Sequence, residues 1–217
     1  MEYQAPALPH ALTEPSLGAL RDVNESVLAL ICAIAIDYDA EPGCFHLPFI
    51  ARRQLTHASA EARSQLARLP ALLVDIEFRH VEWWQHVTMR RVRNTAPTGP
   101  QRLTHRGALR ALAKSVLIYA WTVVQQDRIG ARIVLGMSDP VIDVIAAVGP
   151  MRIQHVASHA LWHMRPRWQD RPTLWQHLLH EAAHPDTLRL AQIQCLQQLD
   201  ASALRGVRPT VPTTRRT

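Results

Sequence analysis

Apolar positions recur at intervals of three and four through much of the chain, the spacing that places them on one face of an α-helix. In "GALRALAKSVLIYAWTVVQQD" the series Leu109, Leu112, Val116, Ala120, Val123 and Val124 defines an amphipathic helix with one buried stripe. Residues 27–36, "VLALICAIAI", are apolar nearly all round, which predicts a helix deep in the core. "RIGARIVLG" reads as a short helix closed by Gly136, because glycine readily takes the left-handed conformation common at helix ends. Another short helix follows in "SDPVIDVIAAVGP", with Ser138 or Asp139 as N-cap, Pro140 in the first turn and Gly149 as the stop. "MRIQHVASH", "TLWQHLLHEAA" and "DTLRLAQIQCLQQLDASAL" each predict a further helix. Two pieces, "LLVDIEF" and "LWHMRPRW", lose the helical period and read as extended, so a short strand or ribbon is expected there. The fold class expected from the pattern is mainly α.

The pattern is written twice. Residues 51–70, "ARRQLTHASAEARSQLARLP", align without gaps on residues 131–150, "ARIVLGMSDPVIDVIAAVGP"; both open Ala-Arg-x-x-Leu and close in Pro. Upstream, "SVLALICAIAID" at 26–37 matches "SVLIYAWTVVQQ" at 115–126, the first copy carrying an extra loop in "DYDAEPGCF". Downstream, "WQHV" at 84–87 matches "WQHL" at 175–178. The predicted organisation is an N-terminal segment (1–19), an acidic, degenerate helical repeat (20–91), a linker rich in Pro, Gly and Thr (92–108), a basic repeat (109–204) and a disordered basic tail (205–217).

Charge sharpens the difference between the copies. The net charge of +6 hides eleven acidic residues against six arginines over 1–89, and seven acidic against eighteen basic residues over 90–217. Between Arg90 and Arg132 nine basic residues stand against Asp127 alone. Such polarity suits a second half that meets a polyanion while the first meets something else. The bland alternative is arginine-rich composition, since 23 of the 24 basic residues are Arg and only Lys114 is Lys. Three widely spaced cysteines with no CxxC argue against a disulfide scaffold and a thiolate zinc site. The N-terminus lacks the basic start and apolar run of a signal peptide, and the apolar run at 27–36 is about half the length that spans a bilayer. A cytoplasmic, non-membrane protein is expected.

"ARIVLGMSDPVIDVI" carries the ingredients of a helix-turn-helix: a small residue in the first helix, Gly at the turn, a Ser cap and β-branched residues in the second helix. Ala131 to Gly136 is one residue longer than in the common form. The wider stretch "QDRIGARIVLGMSDPVIDVIAAVGPMRIQHVA", residues 126–157, resembles FlhD, a subunit of the bacterial flagellar master transcription regulator. The shared features are Gln126-Asp127 with a following basic residue, Ala131, Leu135-Gly136, the step Met137-Ser138-Asp139, and Val156-Ala157. The longer Ala-to-Gly spacing is the family's own, and "LWHMRPRWQD" at 161–170 has a similar counterpart there. The match is close over 126–170 and loose over the rest of the second copy.

The resemblance implies a bacterial helical regulator that dimerises, works with a partner subunit and binds promoter DNA, with no cofactor and no catalytic step. The chain is then two tandem FlhD-like helical units, two copies imitating a dimer within one polypeptide. The DNA contacts would come from Arg128, Arg132 and Arg152, with Ser138 at the helix cap, since guanidinium forks suit phosphate and guanine. Each of those arginines has the alternative reading of a solvated surface group. The first copy departs from the pattern: "LTHAS" replaces Leu-Gly-Met-Ser, and Glu61 and "VDIEF" follow, which suits holding the fold or a partner. The Cys-rich zinc site of the family's partner subunit has no counterpart here.

Two competing readings remain. One is a protein-interaction module of the same fold without DNA binding. The other is a zinc hydrolase, because "HEAAH" at 180–184 has zinc-protease spacing, and His155, His159 and His163 are four apart. Against it, no Glu follows Glu181 as third ligand, and Pro185 stops the helix where such active sites continue. No metal site is therefore expected. The six tryptophans suit core packing better than single-strand stacking, since Trp84 and Trp175 occupy equivalent repeat positions.

Overall fold

A computed structural model describes residues 14–36, 45–89 and 105–183. Its axis is a pair of long helices, α1 (Glu14–Ile36) and α5 (Arg106–Gln126), which pack against each other. All six positions of the predicted α5 stripe are buried, and α1 buries Leu20, Val23, Val27, Leu28, Leu30, Ile31 and Ile34. Each fully buried Leu, Ile or Val contributes roughly 1.5–3 kcal/mol. A charge at Val27, which is 0 % exposed, would be strongly destabilising to this core. By length and composition α5 could cross a membrane, yet half of that stretch is buried in the fold.

The first half continues with α2 (Phe49–His57), α3 (Ala60–Ala67), β1 (Val74–Ile76) and α4 (Val81–Met89). After α5, the second half has one turn of helix, α6 (Arg128–Gly130), running into a π-helical turn over Ala131–Leu135. Then come α7 (Asp139–Ala146), α8 (Pro150–Ala160), β2 (Met164–Pro166) and α9 (Pro172–Ala182). The architecture is mainly α. The extended reading of "LLVDIEF" and "LWHMRPRW" is met by a two-stranded antiparallel ribbon in register Val74↔Pro166, Asp75↔Arg165 and Ile76↔Met164. Alternation turns Val74, Ile76, Met164 and Pro166 into the core and leaves Asp75 and Arg165 facing each other outside it.

The halves interlock. α4 of the first half packs on α7 and α8 of the second, while α9 of the second packs on α2 and α3 of the first. One continuous apolar cluster runs through both. Trp84 and Trp175 anchor corresponding corners. Each is fully buried, and each indole N–H donates to a carbonyl just beyond a strand, Glu77 O at 3.1 Å and Arg167 O at 2.8 Å. Left-handed residues mark the same two corners, Glu77 (φ 50°) and Trp168 (φ 57°). Buried Asn24 ties α1 to the segment before β1, donating to Ala67 O and Ala71 O and accepting from Leu73 N.

Three local expectations are corrected. Gly149 does not stop α7, which ends at Ala146; Gly149 precedes α8 as its N-cap, where Pro150 has the fixed φ that suits a first turn. The last residues of the stretch 92–108 are helical, because α5 begins at Arg106. The first short helix is not regular α: the Gly136 N–H bonds to Ala131 O, five residues back, so the extra residue is absorbed as a π turn. The expected last helix at 186–204, the tail, the N-terminal residues 1–13 and His184 lie outside the described residues.

Candidate nucleic-acid interface around the Gly136 turn

Gly136 closes the π turn at φ 69°, in the left-handed region that favours glycine. The lack of a side chain also makes room: a Cβ here would stand 2.0 Å from Arg167 Nη2. Arg167 is 7 % exposed, and its Nη1 donates to Val134 O at 2.8 Å and Leu72 O at 3.3 Å. Its guanidinium also lies over the Trp168 ring, 5.0 Å from the centroid. A buried cation is tolerable only where polar groups replace its water, and these carbonyls do that. Backbone bonds reinforce the clamp: Leu72 N to Val134 O, Arg167 N to Leu73 O and Ser138 N to Phe78 O. The turn of the second half is thus held by the ribbon and its flanks.

Around this turn opens a cleft of about 310 Å³, lined by Arg79, Arg165, Arg167 and Arg171 against only Asp75 and Asp170. Arg79, exposed and contributed by the first half, reaches Gly136 O with its Nε at 3.4 Å. Arg165 donates to Asp75 Oδ2 through Nε at 3.0 Å and Nη2 at 2.8 Å, and Asp75 Oδ1 accepts from Phe78 N. Desolvation alone would lower the Arg165 pKa; the bond to and charge of Asp75, with Glu77 and Asp170, outweigh it and raise the pKa. Arg165 is therefore a fixed cation. A concave site with excess like charge focuses field lines and attracts anions.

The residues expected to touch DNA lie elsewhere on the same segment. Arg128 is paired with Asp143, and Arg132 Nε stands 3.6 Å from Asp139, both on exposed faces. Such surface pairs are worth about 0.2–1 kcal/mol each, so they can exchange partners readily. Arg152 is exposed in the first turn of α8. Ser138 is different. Its Oγ is buried with no hydrogen-bond partner among the described residues, and it makes no side-chain cap. It serves through its backbone, its carbonyl accepting from Val141 N and Ile142 N. None of the four lines the cleft. Sequence reasoning missed Arg79, Arg165, Arg167 and Arg171; the available signal was the density of arginine around Trp168 in "MRPRWQDR".

The histidines gather no metal constellation: among the described residues no group of three His, Cys, Asp or Glu is placed to hold an ion. His180 is exposed and Glu181 half-buried on α9, which ends at Ala182. Trp83, Trp121, Trp162 and Trp168 are partly buried against the core. Searches against family models, curated proteins and solved structures find no match for this chain.

Proposed function

We propose that this chain is a DNA-binding, non-enzymatic regulator or regulator subunit of the FlhD-like kind, cytoplasmic, with its DNA surface centred on the Gly136 turn. One observation carries the reading: four arginines from both halves converge on that turn against two aspartates. Arg128, Arg132 and Arg152 extend the basic surface along α6 to α8. Phosphate oxygens would take over the guanidinium contacts now made by Asp143 and Asp139. Ser138 is left out of the contact set, because its hydroxyl is enclosed. Affinity from phosphate contacts falls steeply with salt. The test is anisotropy of a labelled duplex carrying the gene's own upstream sequence, titrated with the full chain across a salt series. Absence of binding at the lowest salt removes the proposal.

A second reading, a protein-interaction module without DNA binding, is favoured by one specific feature. Ile129 (58 % exposed) and Met151 (77 %) leave apolar side chains in water on the same stretch whose arginines are already matched by carboxylates. Replacing both by Ser discriminates: self-association or partner binding lost in the variant, with no duplex binding by either protein, favours this reading, whereas intact duplex binding in both proteins rejects it.

A further inference from the structure

We infer that the cleft beside Gly136 is a built phosphate-binding pocket, with room for a phosphate or pyrophosphate group, and not merely a charged patch. The inference goes beyond DNA binding and rests on that reading only for one source of the phosphate. At about 310 Å³ the cleft lies at the small end of the range for compact ligands. Its walls are fixed before any ligand arrives. Arg167 is tied to two carbonyls, Arg165 to Asp75, and the Gly136 turn to Phe78 O and Leu72 N. Preorganised donors lose little entropy on binding, which is what distinguishes a pocket from a patch.

The donor set also has a mobile arm. Arg79 is exposed, and its Nε contact to Gly136 O is long at 3.4 Å, so its guanidinium can close on an anion from the open side. A planar guanidinium offers paired N–H donors matched to two phosphate oxygens. The two carboxylates of the lining are unequal. Asp75 has both oxygens engaged, by Arg165 and by Phe78 N, and so is already neutralised. Asp170 is exposed and close enough to act on Arg165 through its charge, so it competes with any incoming anion. The pocket therefore has one arm that should strengthen binding and one carboxylate that should weaken it.

Calorimetry of the full chain with sodium pyrophosphate, against sodium chloride at matched ionic strength, reads this directly. Saturable one-to-one binding is expected. Arg79→Ala should weaken it about tenfold, the scale of a charge-assisted contact. Asp170→Asn should tighten it by a few-fold. Both side chains are exposed, and circular dichroism checks that each variant is folded. No saturable binding by folded wild type, or binding that neither variant alters, overturns the pocket. A competition arm separates the sources. Displacement of a labelled duplex by pyrophosphate assigns the site to DNA phosphate, whereas both bound together assigns it to a soluble phosphorylated ligand; either supports the pocket. Duplex binding without pyrophosphate binding overturns the pocket and keeps the DNA reading. Pyrophosphate binding without duplex binding does the reverse.

Discussion

The connection from α2 to α3 and the connection from the π turn to α7 align without a gap, residue for residue, and yet are stabilised by opposite means. In the first half α2 stops at His57, and Ser59 caps α3 by accepting from Ala62 N at 3.1 Å. That is local chemistry, complete within four residues. In the second half the equivalent turn uses a left-handed glycine, a buried serine hydroxyl with no cap bond, and a clamp from Arg167 more than thirty residues away. The first turn is capped by its own residues. The second takes its shape only when the ribbon is assembled, and the basic cleft forms there with it.

The largest expected effect breaks that difference at equivalent positions. Gly136→Ala puts a Cβ 2.0 Å from Arg167 Nη2 at φ 69° and displaces a buried guanidinium. A loss of about 2–4 kcal/mol in chemical unfolding is expected, from left-handed strain plus the disturbed buried charge. Thr56→Ala, at the aligned position of the first half, should stay within about 0.5 kcal/mol of wild type. Equal losses at the two sites would contradict the contrast.

The tryptophan corners sharpen the comparison from the other side, because there the halves behave alike. Trp84→Phe and Trp175→Phe each remove one indole hydrogen bond to a carbonyl in a fully buried site. Similar losses, on the order of 1–3 kcal/mol each, are expected in urea unfolding. Because α4 and α9 pack across the halves, both variants should unfold in one transition, and a two-step curve for either would argue for independent halves.

Smaller effects separate the two serines. Ser59→Ala should cost about 1 kcal/mol, the usual value of a lost cap. Ser138→Ala removes a hydroxyl that has no partner among the described residues, so stability should be unchanged or slightly higher by thermal melting.

The long helices differ in titration. Leu30 of α1 aligns with Tyr119 of α5, which is buried, and burial raises the Tyr119 phenol above its ordinary 10.0. The unfolded phenol ionises first as pH climbs, so this contribution to stability is intact below about pH 10 and is lost above it. Stability should decline on the alkaline side in wild type, and Tyr119→Phe should flatten that decline while leaving neutral pH nearly unaffected.

Much of the fold was legible because local periodicity carried it. The Leu109 to Val124 stripe, the extended "HMRPRW" and the Gly136 stop all follow from spacing and glycine chemistry. The repeat was legible as sequence, but its reciprocal packing was not, since matched segments say nothing about which half a helix leans on. Gly149 was misread because glycine before proline serves one helix's start as well as another's end. The resemblance pointed to Arg128, Arg132 and Arg152, the basic groups beside the helix pair. The cleft depends instead on Arg79 arriving from the first half, a tertiary fact with no local signature. Ser138 is the N-cap of α7 in its backbone, as its identity suggests, but its hydroxyl makes no cap bond, and its N–H is tied instead to Phe78 O.

The central claim, that the Gly136 turn organises an anion-facing surface for DNA, is tested most directly by one salt series. Labelled duplex is titrated with wild type and with Arg79→Ala, Arg171→Ala. Binding at low salt, a steep fall in log affinity against log salt, and a shallower slope in the double variant are predicted. Absence of binding at the lowest salt, or an identical slope in both proteins, would contradict it.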